Sequence, residues 1–262
     1  MRFFVQIAVA ILTVCLSISL AAAQNKVVII PLNSAKELKN VVTVSAKGGD
    51  FTDPVAAVNS ITDATETNPY LVLIGPGVYT LIQPLLMKPY VTIAGSGRDA
   101  TILTGAISSG TLDSTSTLVS GADNATLSNL TIKNTGGNTF SIALYNNDSS
   151  PVIENVVAQA SGGLGSVGVY NTNSSFPSMS HVYLAALDGA EYCALFNASS
   201  TTTIRDSFIF GLGGVGMCGP DSGFVYVRHS SIIGGLASTG TYHCLYSDNG
   251  VSTQLDPDCT MP

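Results

Sequence analysis

The chain has 262 residues, a formal net charge of −7 and only 10% charged residues, with 26 Gly and no Trp. Solvated helices carry many Lys and Glu, so this balance argues against an α-rich fold. The acidic sum and the lack of a basic patch argue against nucleic acid or anionic membrane as a partner.

Residues 1–23 read as a secretory signal peptide. Arg2 precedes the apolar run Phe3–Leu20, and Ala21-Ala22-Ala23 forms a small-residue cleavage site before Gln24. A single membrane anchor is the rival reading, against which stand Thr13, Ser17, Ser19 and the cleavage motif. After signal removal no membrane span is expected, and the protein is read as secreted or cell-surface. Residues 24–262 are then one domain. Residues 24–70 hold strands at Val27–Pro31 and Val41–Val44 and a short helix. In that helix Asp53 caps, Pro54 takes the first turn, and Val55, Val58 and Ile61 form the apolar stripe. Its expected job is to cover the open N-terminal end of a sheet.

From Leu71 the chain consists of short alternating runs broken by Gly, Asn and Ser. The position of Asn129 recurs at Asn155, His181, Asp206 and His229, with steps of 26, 26, 25 and 23. Interleaved with it, Ser141–Asn146 returns as Ser166–Asn171 and Tyr192–Asn197. A period in the twenties made of strand-like runs predicts a β-solenoid in which each position stacks above itself. The fold class is therefore all-β, a single-domain right-handed parallel β-helix with coils over 71–247 and a C-terminal tail over 248–262.

Cys15 leaves with the signal. Cys193, Cys218, Cys244 and Cys259 remain, an even number in an exported chain. Three connectivities are open. The 25-residue step from Cys193 to Cys218 equals one coil and favours that pair, with Cys244 and Cys259 tying down the tail. No Cys-x-x-Cys occurs and the His are scattered, so no metal and no cofactor is expected.

Lys47-Gly48-Gly49-Asp50-Phe51, Ala56-Ala57-Val58, Gly75-Pro76-Gly77-Val78-Tyr79, Lys88–Gly95, Leu127–Thr135 and Arg205–Gly211 resemble words of the pectin-lyase-like β-helix superfamily. The closest likeness is to pectinesterases, and the chain is also similar to secreted bacterial β-helix proteins of unassigned function. The resemblance implies two aspartates on adjacent coils, one acid/base and one nucleophile, with a Gln one coil earlier. Asp206-Ser207-Phe208-Ile209-Phe210-Gly211 looks like the second aspartate word with one insertion, but the repeat places Asp206 in the turn column. The strands that correspond to the catalytic positions are Phe140–Leu144, Val167–Tyr170 and Cys193–Phe196, and they hold neither Gln nor acid. Pectinesterase catalysis is not expected.

Period-two alternation sends Tyr145, Tyr170 and Phe196 outward, beside Ala143, Gly168 and Ala194, with Ile142, Val167 and Cys193 inward. The rings are candidate glycan-binding residues, or a ladder that only stabilises the rungs. Asp188 and Glu191 are weak catalytic candidates as a carboxylate pair, against solvated turn residues. The column of Asn129, Asn155, His181, Asp206 and His229 reads first as a ladder of turn residues and second as a proton relay or metal site. The leading function is a non-catalytic secreted module that binds a polysaccharide or glycan, or serves adhesion. The rival is a polysaccharide-active enzyme (lyase, hydrolase or esterase) with a relocated site at Asp188 and Glu191.

Overall fold

A computed structural model describes residues 40–188, 191–219, 223–237, 240–251 and 253–261. The expected signal peptide and the strand expected at Val27–Pro31 lie outside the described residues. Lys39–Pro262 forms one compact unit. The chain winds as a parallel β-solenoid whose strands stack in three columns.

Column A contains Val41–Val44, Tyr70–Ile74, Val91–Gly95, the leading halves of Thr126–Asn134 and Val152–Ala160, then Ser178–Ser180, Thr201–Arg205, Phe224–Arg228 and Thr241–Leu245. Column B contains Gly77–Thr80, Thr101–Gly105, the trailing halves of the same two long strands, Tyr183–Ala186, and the starts of Phe208–Cys218 and Ser231–Leu236. Column C contains Leu85–Leu86, Thr117–Ser120, Phe140–Asn147, Gly165–Thr172, Glu191–Asn197 and the ends of Phe208–Cys218 and Ser231–Leu236. Val41–Val44 does not precede the solenoid; it is the first rung of column A.

The inside is a set of stacked aliphatic rows. In column A, Val72, Ile93, Leu127, Ile153, Met179, Ile204 and Val227 follow one another in register, all buried. Each such side chain contributes about 1.5–3 kcal/mol of burial free energy. The corner from column A to column B is made by one residue in the left-handed region: Asn129 (φ 56°), Asn155 (52°), His181 (53°), Asp206 (52°), His229 (46°) and Tyr246 (52°). Asn and Asp tolerate that region because their short polar side chains bond locally. Here Asn155 Nδ2 donates to Asn129 Oδ1 at 2.8 Å.

From Asp206 onward the residue after the corner is Ser. Val182 N donates to Ser207 Oγ (3.1 Å), Ser207 N to Ser230 Oγ (3.1 Å) and Ser230 N to Ser247 Oγ (3.4 Å). These hydroxyls occupy the phase that Leu130, Val156 and Val182 hold in earlier coils. Backbone amides at the later corners are thereby satisfied by side chains.

Pro54–Ser60 is a seven-residue helix. Asp53 accepts from Val55 N (3.0 Å) and Ala56 N (3.3 Å), and Val55, Ala57, Val58 and Ile61 join the core. Lys88 Nζ donates to the carbonyls of Asn59, in the helix's last turn, and Ile61, its C-cap. At the other end the tail folds back: Cys244 N donates to Pro257 O and Leu255 N to Ser247 O, with Leu255 and Cys259 buried. Two disulfides are present, Cys193–Cys218 and Cys244–Cys259, with Cα separations of 6.2 and 5.0 Å. Among the described residues, no helix is long and apolar enough to cross a membrane.

Candidate functional site

Tyr145, Tyr170 and Phe196 stack on successive coils of column C, in register. Ring centroids are 5.3 Å apart at an interplanar angle of 47° for the first pair, and 4.8 Å at 76° for the second. The rings are not equally open. Tyr145 is only 6% exposed, whereas Tyr170 and Phe196 are half-buried. Leu112 packs against this cluster from the loop between Thr101–Gly105 and Thr117–Ser120. Burial, then the neighbouring Tyr170 and Asp113, hold the Tyr145 phenol above its ordinary pKa.

That loop is pinned by Asn134. Asn134 is fully buried: its Oδ1 accepts from Ile107 N, and its Nδ2 donates to the carbonyls of Ile107, Ser116 and Ile142, the bonds to Ile107 being only partly buried.

The alternation expected for these strands fails at one place. The ladder skips the Ala143, Gly168 and Ala194 level. Ala143 and Ala194 face the main core, while Ile142 and Val167 pack with Tyr145 in a separate cluster. A Cβ on Gly168 would lie 2.5 Å from Ala194 O on the next coil of column C and 3.0 Å from Ala185 O of column B, so no side chain fits there without movement. The strand changes phase to bring small residues inward at this contact. Ile142 and Tyr145, three apart, consequently share a side. Cys193 lies in the Val167 row and Cys218 in the Phe196 row, so the disulfide closes this apolar face diagonally on the next coil.

A second surface follows the left-handed corners on column B. It is an open groove of ≈ 520 Å³ bordered by Arg98, Asn155, His181, Asp206 and His229, with Tyr183 and Phe208 on its wall. Tyr183 and Phe208 stack in parallel at 5.3 Å and 9°, and Phe210 lies 6.2 Å from Phe208. Burial raises the Tyr183 phenol. Arg205 Nη1 lies 3.3 Å from Asp206 Oδ2. Arg98 reaches the groove from an early turn and donates to His181 O at 3.4 Å. Sequence reasoning missed Tyr183 and Phe208. Their signal was available: each stands two residues after a corner residue, the first outward position of column B.

These columns match known proteins. A family model described as "Rhamnogalacturonase A/epimerase, pectate lyase-like" matches residues 38–247. The chain belongs to this family. Solved structures with the same fold include a pectin methylesterase from carrot (16% identity, 81% of this chain and 84% of that one, TM-score 0.58). A pectin methylesterase from Aspergillus niger is similar (14% identity, 82% and 87%, TM-score 0.52). So is a pectin methylesterase mutant solved in complex with hexasaccharide IV (14% identity, 85% and 92%, TM-score 0.52). No curated protein sequence matches.

In this pectate lyase-like chain the two acids singled out in the sequence stand as follows. Asp188 is exposed, and its Oδ1 accepts from Gly162 N at 2.6 Å. Glu191 opens its strand in register with Gly165, and only its backbone is described. Among the described residues no group of three His, Cys, Asp or Glu side chains is arranged to hold a metal ion. His181, Asp206 and His229 lie along one edge of the groove as corner residues.

Proposed function

We propose that this protein is a secreted or cell-surface glycan-binding module without pectinesterase catalysis. The observation that carries the reading is the make-up of the column C face. Where the resemblance asks for Gln and two aspartates, the face holds Ile142, Val167, Tyr145, Tyr170, Phe196 and the Cys193–Cys218 bond. Such a surface offers no carboxylate to serve as acid/base or nucleophile, but it can hold the apolar side of a sugar ring. Tyr170 and Phe196 meet edge to face, which leaves ring surface available to a ligand. The winding is right-handed, the hand that parallel crossovers take almost without exception. Helix Pro54–Ser60 covers the first coil.

A glycan array run beside methanol-release and reducing-end-release assays tests the reading. Binding without turnover is expected, and Tyr170→Ala should weaken it by about 1 kcal/mol. Release of methanol or reducing ends in proportion to protein concentration would overturn it.

A further inference from the structure

The sequence word Asp206–Gly211 has so far no role beyond its corner, yet it supplies two sides of a notch in the column B groove. Tyr183 covers one face of the Phe208 ring. The next coil places Ser231 in register with Phe208, and Ser is too small to cover the other face. Beside that uncovered face stand Asp206 and His229, both exposed corner residues that line the same groove. Arg205 takes Asp206 Oδ2, while Oδ1 has no partner among the described residues. His229 is held by stacking on Tyr246 at 5.5 Å and 10°, which fixes the plane of its ring.

We propose that this notch binds one neutral pyranose unit of a glycan, with the sugar's apolar face on Phe208 and its hydroxyls on Asp206 Oδ1 and the His229 imidazole. An aromatic face flanked by a carboxylate and an imidazole matches a pyranose, which is apolar on one side and rimmed by donors and acceptors. The Asp206 carboxylate faces the sugar position directly and disfavours an acidic unit on Phe208, although Arg205 pairs with its Oδ2 and Arg98 borders the groove beside His181, one coil earlier. The ligand class rests on the glycan-binding reading, but the site lies on a different column from Tyr170 and Phe196. The groove continues past four corners, Asn155 to His229, a run of about 14 Å at the usual strand spacing. A short oligosaccharide can therefore lie along it.

The test uses backbone amide shifts of the mature protein titrated with galactotriose, cellotriose and trigalacturonate. At least one neutral trisaccharide should shift the Asp206–Phe208 and His229–Ser231 amides, with millimolar affinity. Ser231→Tyr extends the Tyr183–Phe208 stack into the notch; it should weaken binding at least about tenfold without lowering the melting temperature. Asp206→Asn suits the left-handed corner and should weaken binding severalfold while the fold is retained. Wild-type binding by both variants overturns the site, as does tighter binding of trigalacturonate or the absence of shifts at these amides with both neutral sugars. Shifts confined to Tyr170 and Phe196, lost in Tyr170→Ala, would sink this site and leave the glycan reading standing. No binding on the array or in the titrations would sink both.

Discussion

The column C face and the column B groove are built from the same repeat, yet they depend on different parts of the chain. The groove inherits its border from the period itself. Every coil from Asn129 onward sets one polar residue at a left-handed corner, so Asn155, His181, Asp206 and His229 line up without outside help. The column C face is decided by elements that the period does not contain. Leu112 arrives from a loop and hides Tyr145, Asn134 fixes that loop, and a disulfide closes the far end. A repeat thus guarantees a row of side chains, while insertions decide which members of the row a ligand can reach.

The largest effect should come from Asn134→Ala. It leaves Ile107 N and the Ile107, Ser116 and Ile142 carbonyls without their buried partner, a cost of about 4 kcal/mol. Urea unfolding measures the loss, and limited proteolysis should cut residues 106–116 faster as Tyr145 opens. If Tyr145 stays protected, the face does not depend on the loop and the contrast collapses.

Removing the Cys193–Cys218 bond through the double change to Ser should cost about 3 kcal/mol for a loop of this length. Calorimetry under non-reducing conditions reads it directly. Any binding in the groove should persist, because Phe208 stands at the column B end of the strand Phe208–Cys218, ten residues before the bond. A parallel loss of groove binding would mean that the two surfaces are one unit.

A smaller and more discriminating change is His181→Val. A β-branched residue at φ 53° should cost about 2 kcal/mol, whereas His181→Asn should stay within about 0.5 kcal/mol of the parent. Equal stabilities by urea titration would show that the corner geometry is not what holds this edge together.

Much of this molecule was legible in its residues. Steps of 23 to 26 with β-branched runs require a stacked parallel solenoid, and short polar residues at the repeated position match a left-handed corner. Asp53-Pro54 marks a helix start, and two Cys one coil apart are placed to meet. All of these follow from local backbone preference and from the stacking of like on like, which one sequence displays in full. Gly168 shows where that reasoning stops. Period-two alternation holds only along an uninterrupted strand, and the close approach of Ala185 and Ala194 interrupts it, exchanging the sides of Ile142 and Ala143. The burial of Tyr145 and the open face of Phe208 are likewise properties of neighbours 23 residues or more away. Leu112 and Ser231 take their places beside these rings only after the coils are wound, so tertiary structure alone decided which aromatic surface is covered and which stays open.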